Sequence, residues 1–475
     1  MNERAARWVV SGAVAAGLGA RLAFAANDDG IFWPDEIYQS LEPAHRLVFG
    51  YGWQAWEFLE GARHWTLPGF VALLFKLSGA LGLSYPEQTL GLTRAVFCLI
   101  SAAVPLGVYR LARVYQATPM DAAVGALASS LMGLSIYFAP RATGETASAL
   151  PLVFGLAWTL DLTASRRERF FGLLLLCLSV FLRLQNAIFC LSMLGVWFAQ
   201  NRPRQFLVKG VVVFLLAGLV YGLVDLWTWG RFLHSFRVYV NFNLIEGKAS
   251  SFGTEPPWFY VKALLLSEGR LVLPLVVLGA LAWKKARPLW LVWLPFFVVH
   301  SILPHKELRF IYVLLPLLAA LGAVGLTAVR ERWPNWSISP SLAVFAFTVI
   351  SAYLLRDLTF GRMGVRNPGP PTLSAIDYSG PENRLLMIAG HMEQVCGLRI
   401  TSTEHWRTGG YAYFHKQVPL YGLQPRSGTE QSYNHLIGRG TPPAGTIVAR
   451  NGEAWLLSLD RPVCETDAAY DWHLE

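Results

Sequence analysis

Residues 147–185 read ASALPLVFGLAWTLDLTASRRERFFGLLLLCLSVFLRLQ. An apolar run from Ala147 to Leu162 meets the cluster Arg166, Arg167 and Arg169; a second run, Phe170 to Leu182, ends at Arg183-Leu184-Gln185-Asn186. Two hydrophobic segments joined by a basic turn predict a helical hairpin across a bilayer, with the Arg-rich turn held on the cytoplasmic side.

The same alternation recurs outward in both directions. Arg4 and Arg7 precede the run Trp8–Ala26, which predicts a cytoplasmic N-terminus. Further runs are Thr93–Leu111, Ala122–Phe138, Ala187–Phe198, Phe206–Leu226, Leu271–Leu281, Trp290–Leu303, Ile311–Val329 and Ser341–Leu355. Between them lie Arg110 and Arg113, then Arg202, Arg204 and Lys209, then Lys284, Lys285 and Arg287, then Arg330 and Arg332. Each cytoplasmic turn then carries at least two basic residues, and the fold expected is a mainly α, polytopic membrane protein of about eleven spans. The segment Leu67–Leu83 has Lys76 at its centre. Letting it span would put Arg110 and Arg113 outside, so it is expected to lie on the outer surface. Ile37–Phe49 and Trp53–Ala62 read as short amphipathic helices of the same kind. Trp227 to Arg270 reads as a long outer polar loop.

Composition agrees. Of 475 residues 54% are hydrophobic and only 15% charged, against about 25% charged in soluble domains, and mean hydropathy is +0.38. The net charge of +9 sits in the turn clusters, so it orients helices and does not form a nucleic-acid surface. No cleavable signal peptide is evident near Ala20–Ala26. From Arg356 the composition changes. A linker with Pro368, Pro370 and Pro371 leads into a soluble, strand-rich domain over 357–475, expected on the extracytoplasmic side of a membrane domain over 1–356. Its short apolar runs are Leu385–Ala389, Thr446–Ala449 and Ala454–Leu459. Cys396 and Cys464 both fall there, where an oxidising compartment permits a bridge. Cys98, Cys177 and Cys190 lie in spans and read as small apolar fillers.

The topology gathers ionisable groups on the outer face: Asp35, Glu36, Gln39, Glu42 and His45 in the first outer loop (27–90), Arg141, Glu145, Arg183 and Asp225 at helix ends, and His305, Lys306, Glu307 and Arg309. Such groups at a membrane boundary point to chemistry. A carboxylate can take the proton of a sugar hydroxyl as it attacks an anomeric carbon, while Arg or Lys stabilises a departing phosphate. Adjacent acids seldom flank one substrate as a retaining pair, so Asp35 and Glu36 read as one base and one supporting acid. No metal-ligand spacing is present, and neither a metal nor another cofactor is expected. A lipid or glycan transporter is the competing class; it would bring mid-membrane charges and internal repeats, and neither is found.

The stretch Pro34-Asp35-Glu36-Ile37-Tyr38-Gln39-Ser40-Leu41-Glu42, with His45 and Trp56-Glu57 behind it, resembles the first outer loop of glycosyltransferase family 22. Pro304-His305-Lys306-Glu307-Leu308-Arg309-Phe310 is similar to that family's HKE-x-RF motif. Looser matches fall at Arg141-Ala142-Thr143, Phe181-Leu182-Arg183 and Asp225. Within the family the chain most resembles the enzymes that add the third mannose of the GPI anchor precursor. The resemblance implies a GT-C membrane fold and a metal-free, inverting transfer of mannose from a polyprenyl- or dolichyl-phosphate donor to a glycolipid or lipid-linked glycan on the non-cytosolic face. Arabinose or another carrier-linked sugar is the alternative. By motif position Asp35 is the general base, with Glu36 beside it. Charge assigns the donor phosphate to His305, Lys306, Arg309, Arg183 and Arg141; substrate contacts are expected from Tyr38, Gln39, Trp56, Glu57, Asp225 and Asn243. Trp33 replaces the family's His, and the Arg-Thr motif lacks its usual Ser-Asn, which leaves the acceptor open. The short N-terminus and compact loops fit a bacterial inner-membrane member; a eukaryotic one would sit in the ER membrane.

Overall fold

A computed structural model describes residues 3–333, 340–365 and 370–474, the side chains of 340–345 and of 474 excepted. The linker residue Pro368 lies outside the described residues. The chain is mostly helical and forms two compact units: Met1–Ala23 with Val96–Leu373, and Phe24–Ala95 with Ser374–Glu475. The sequence-based boundary at residue 357 therefore separates two stretches, the first outer loop and the C-terminal segment, that fold as one unit.

In the first unit the hairpin appears as expected, with helices Gly144–Leu160 and Arg166–Leu182. The second begins with a capping box: Ser165 Oγ accepts the Glu168 N–H, and the Glu168 carboxylate accepts the Ser165 N–H. Among the described residues, five helices are long and apolar enough to cross a membrane: Glu3–Ala25, Pro86–Val114, Arg204–Trp229, Phe259–Leu281 and Leu314–Arg332. At about 1.5 Å per residue even the shortest nearly matches a hydrocarbon core of about 30 Å. Helix Arg204–Trp229 leaves Leu215, Leu216, Leu219 and Leu223 exposed, which suits lipid and not water. The chain is a multi-pass membrane protein. The predicted span Trp290–Leu303 lies in a helix of 20 residues, Trp283–Ile302, whereas others are shorter, at 17 residues in Pro340–Arg356 and 13 in Ala187–Ala199.

Two predicted elements differ in the structure. Ala122–Phe138 is not one span: it breaks at Met132 (ψ 132°) into Pro119–Leu131 and Gly133–Phe138. The break leaves backbone donors to satisfy in an apolar setting. Glu268 supplies the acceptor, its Oε1 taking the Leu134 N–H at 2.6 Å. Glu268 itself sits at a kink (φ −134°, ψ 15°) inside Phe259–Leu281. That helix starts twelve residues before the predicted Leu271, because most of the supposed loop Trp227–Arg270 is helical, including His234–Val240. Nearby, the buried Arg21 is satisfied by the carbonyls of Gly17 and Ser130 and by Ser101 Oγ, an intramembrane cation serving packing.

The second unit contains a five-stranded sheet ordered Leu420–Tyr421, Leu398–Ile400, His435–Arg439, Ala454–Ser458, Thr446–Asn451. Its last two strands form a hairpin turning at Gly452, whose φ of 56° suits the Asn451-Gly452 sequence. The strands predicted at 446–449 and 454–459 are present, whereas Leu385–Ala389 lies in a helix, Gly380–His391. Helix Thr66–Ala80 occupies the Leu67–Leu83 segment. Within 37–49 the turn Ile37–Leu41 and one face of helix Glu42–Phe49 pack into the unit's core, with Ile37, Leu41 and Ala44 buried, while Leu47 and Phe49 stay exposed. The first loop is sewn to the C-terminal segment by hydrogen bonds from Ile31 N–H to Tyr378 O (2.7 Å) and Asn383 Nδ2 to Asp29 O (2.6 Å), and by parallel pairing of Gln54–Ala55 with His473–Leu474. Cys396 and Cys464 are disulfide-bonded across 68 residues, a closure worth about 4 kcal/mol in the chain-entropy picture.

Candidate active site

In the second unit the Pro34 carbonyl accepts the N–H groups of Ile37 and Tyr38 (both 2.9 Å) and starts the helix that carries the acid pair. The next turn, Ile37–Leu41, is π-helical, the type of irregularity that recurs at functional sites. Asp35 and Glu36 diverge. Asp35 keeps 22% of its side chain exposed, while Glu36 is buried within electrostatic reach of Arg94 and Tyr413. Arg94 in turn binds Asp29 and Tyr413 at 2.7 Å each, so Glu36 belongs to the unit's internal polar network.

Around Asp35 the structure gathers Gln39, Glu57 and Arg63. The Gln39 amide donates to Asp35 Oδ1 and to Glu57 Oε1 (3.0 Å). Arg63 Nη2 stands 4.0 Å from Asp35 and 3.6 Å from Glu57. Burial raises the pKa of Glu57 despite Arg63, with Asp35 adding to the rise. The result is a more accessible carboxylate backed by a buried one, both steadied by one amide and one guanidinium. Arg63 escaped the sequence reading; its only signal was a cation in the same outer loop as the acids. Trp56 is half-buried at the start of the short helix that carries Glu57.

Other motif residues hold the unit together. The Tyr38 hydroxyl donates to the carbonyls of His405 (3.3 Å) and Thr408 (3.4 Å). The fully buried Glu42 accepts the backbone N–H groups of Trp53 (2.8 Å), Tyr411 (3.2 Å) and Ala412 (2.9 Å). His45 Nδ1 faces the Tyr51 carbonyl at 3.1 Å and must carry the proton, leaving Nε2 to accept from His415 Nδ1 at 2.9 Å. Burial, then His415, pushes the His45 pKa down to about 3. As the pH falls below the ordinary value of 6.5, the unfolded chain takes up a proton that folded His45 refuses, so stability drops toward pH 3 by up to about 1.4 kcal/mol per unit. Glu42, raised by burial to about 7, acts oppositely, with stability lost as the pH climbs from 4.5 to 7. A series of melting curves in detergent should show a shallower acid limb for His45→Gln than for the wild type. Parallel limbs would mean that His45 does not titrate in this way.

The first unit assembles the predicted cations. Glu145, buried at the start of helix Gly144–Leu160, lies 3.4 Å from Arg183 Nη1 and 3.8 Å from Arg309 Nη1. Glu307 accepts from Arg309 Nε at 2.5 Å and faces His305 Nε2 at 3.3 Å. Burial opposes Glu307 ionisation, but Arg309 and His305 outweigh it and hold the carboxyl at about 2. Burial likewise lowers the pKa of His305, yet Glu307 outweighs it and the net shift is upward. Arg183 sits between Phe296 and Phe310, ring centroids 5.9 and 5.7 Å from its guanidinium carbon. None of its three nitrogens has a hydrogen-bond partner.

Four further sequence-named residues make other contacts. Lys306 spends its ammonium on the carbonyls of Glu255 (2.7 Å), Leu303 and Pro304, so its protons are committed to backbone and not to a phosphate. Asp225 accepts the N–H and hydroxyl of Ser235 (2.8 Å each), and Asn243 donates to the Tyr239 carbonyl (2.9 Å). Arg141 is buried with its guanidinium 4.9 Å from the Tyr137 ring. Among the described residues, no cluster of three His, Cys, Asp or Glu side chains could hold a metal ion.

A family model described as the Alg9-like mannosyltransferase family matches residues 16–415. GPI mannosyltransferase 3 of Yarrowia lipolytica is 30% identical over 332 residues, 67% of this chain and 63% of its own length. Human GPI alpha-1,2-mannosyltransferase 3 is 27% identical over 65% of this chain and 56% of its own. GPI mannosyltransferase 3 of Trypanosoma brucei brucei is 26% identical over 82% and 74%. The matched region thus spans about six-tenths of the Yarrowia relative. Among solved structures, ArnT from Cupriavidus metallidurans bound to undecaprenyl phosphate has the same fold, with a TM-score of 0.62, 13% identity, and coverage of 97% of this chain and 99% of that one. The Archaeoglobus fulgidus oligosaccharyltransferase follows at a TM-score of 0.54 and 13% identity, over 91% and 69%.

Proposed function

The chain belongs to the Alg9-like mannosyltransferase family, and on that premise we propose that it transfers mannose from a polyprenyl- or dolichyl-phosphate carrier to a glycolipid or lipid-linked glycan. The observation that carries the reading is the Asp35 carboxylate: open to solvent where Glu36 is not, and oriented by Gln39 and Arg63. The acceptor hydroxyl attacks the anomeric carbon of the donor and gives its proton to Asp35. The bond from that carbon to the phosphate oxygen breaks, and its electron pair leaves on the phosphate. One displacement inverts the anomeric centre, and no covalent sugar intermediate forms.

Arg183 and Arg309 are the cations proposed for the phosphate, with His305 behind them; a bidentate fork suits this anion. The GT-C relative ArnT was solved with undecaprenyl phosphate bound, which supports a lipid-phosphate carrier. The relatives named for GPI mannosyl transfer support a glycolipid acceptor. The Cys396–Cys464 bridge fits a second unit exposed to an oxidising, non-cytosolic compartment, with the first outer loop on that side. Purified full-length protein in detergent, given polyprenyl-phosphate mannose and a glycolipid acceptor, should form a product of inverted configuration without added metal. No turnover with mannose, arabinose or other carrier-linked donors would sink the proposal.

A further inference from the structure

The stretch from Pro119 to Phe138 has no proline after its first residue, and its apolar, Ala- and Leu-rich sequence favours one unbroken helix. A continuous helix would bond the Leu134 N–H to the Ser130 carbonyl four residues back. Both groups are held by other partners. Arg21 Nη1 donates to the Ser130 carbonyl at 2.7 Å, and Glu268 Oε1 takes the Leu134 N–H at 2.6 Å. Both side chains are fully buried. The break at Met132 is thus one helix hydrogen bond pulled open, with a cation on its acceptor and a carboxylate on its donor.

The helix beyond the break, Gly133–Phe138, leads to the Glu145–Arg183–Arg309 cluster by two routes. The Phe138 carbonyl accepts the Arg141 N–H and the Thr146 hydroxyl, both at 3.0 Å, and Thr146 follows Glu145 in the first turn of Gly144–Leu160. On the other side the Phe138 ring packs 4.8 Å from that of Tyr312. The Tyr312 side chain hydrogen-bonds Ser135, and its N–H donates to the Arg309 carbonyl at 2.9 Å. Closing the break would swing the Met132 ψ from 132° to about −42°. It would regain a backbone bond and re-aim the helix against which the Glu145 and Arg309 segments both rest.

We propose that Arg21 and Glu268 are positioning residues for transfer: by gripping the two halves of the missing Leu134–Ser130 hydrogen bond they keep Pro119–Leu131 and Gly133–Phe138 apart as two helices, and so hold the Glu145–Arg183–Arg309 cluster in its working arrangement. This rests on that cluster being the phosphate site of the proposed reaction. Neither residue touches the substrate. Removing one leaves the other charge beside a backbone group with its counterpart unmatched, which is costly in an apolar interior. Removing both frees the donor and the acceptor to bond each other, so the helix heals and the cluster above it shifts.

The test uses full-length protein in detergent and measures three quantities: melting temperature, the dissociation constant for a polyprenyl phosphate, and kcat/KM for transfer from polyprenyl-phosphate mannose. Arg21→Met and Glu268→Leu should each lower the melting temperature, weaken the lipid phosphate several-fold and cut kcat/KM at least tenfold. Glu268→Gln, whose amide oxygen still accepts the Leu134 N–H, should restore all three. The Arg21→Met/Glu268→Leu double variant should melt well above the sum of the two single losses, a coupling of the kind that contacting partners show, while its binding and transfer stay as low as in the worse single variant. Where a single variant is too unstable to purify, the double variant carries the comparison. Transfer that recovers along with stability in the double variant, or additive melting losses, overturns the inference and leaves the phosphate site standing. A wild type that binds no polyprenyl phosphate overturns both readings. The expected binding pattern without any sugar transfer would remove the mannosyltransferase reading and keep this one.

Discussion

Replacing Asp35 by Asn should lower kcat for mannose transfer about 10³-fold, the middle of the range that a positioned general base contributes. The substitution is nearly isosteric and preserves the oxygen that accepts from Gln39, so donor affinity should stay within about twofold and the melting temperature should barely move. What disappears is the capacity to accept the acceptor's proton. Glu57 cannot take over: it is the more buried acid, already engaged by Gln39 and Arg63. Steady-state kinetics with labelled donor decide the matter, and turnover within tenfold of wild type would remove Asp35 from the base role. A matching loss in Glu36→Gln, accompanied by a lower melting temperature, would reflect only damage to the polar network around Arg94 and Tyr413.

The acid pair also shows where sequence reasoning reaches its limit. Hydropathy runs and basic turns made the hairpin at 147–185 legible, since both signals are local and the capping box at Ser165 and Glu168 lies in the sequence itself. The break at Met132 was not legible, because the carboxylate that makes it tolerable belongs to Glu268, far along the chain. The split between Asp35 and Glu36 depends on Arg94 and Tyr413, which lie near Glu36 only once the chain has folded and which no local propensity announces. Glu42 and His45 look catalytic in a motif, yet their partners are the backbone at Tyr411 and Ala412 and the ring of His415. Lys306 was assigned by charge alone, and backbone carbonyls claim that charge. Residue type and topology can nominate a polar site. Which members face a substrate is decided by long-range contacts, and those are fixed only by the fold.

Arg183 should separate activity from stability more sharply than any other position. Its guanidinium is 96% withdrawn from solvent (4% exposed), makes no hydrogen bond, and has Glu145 as its nearest counter-charge at 3.4 Å. Such a group is costly for the empty protein and useful only when an anion arrives. Arg183→Met keeps the contact with Phe296 and Phe310 and removes the unmatched donors. Glu145 would retain Arg309 at 3.8 Å, so it keeps a counter-charge and escapes the cost of about 3–5 kcal/mol that follows when a buried ion loses its sole partner. The lipid-free melting temperature should therefore hold within a few degrees. Transfer should suffer: losing a buried charge-assisted contact to phosphate costs about 3–4 kcal/mol, or 10² to 10³ in kcat/KM. Arg183→Lys keeps the charge without the planar fork and should recover only part of the loss. The pairing of undiminished stability with collapsed turnover is the distinguishing result. A melting temperature lowered by several degrees with kcat/KM within threefold of wild type would make Arg183 a structural partner of Glu145 and end its assignment to the phosphate.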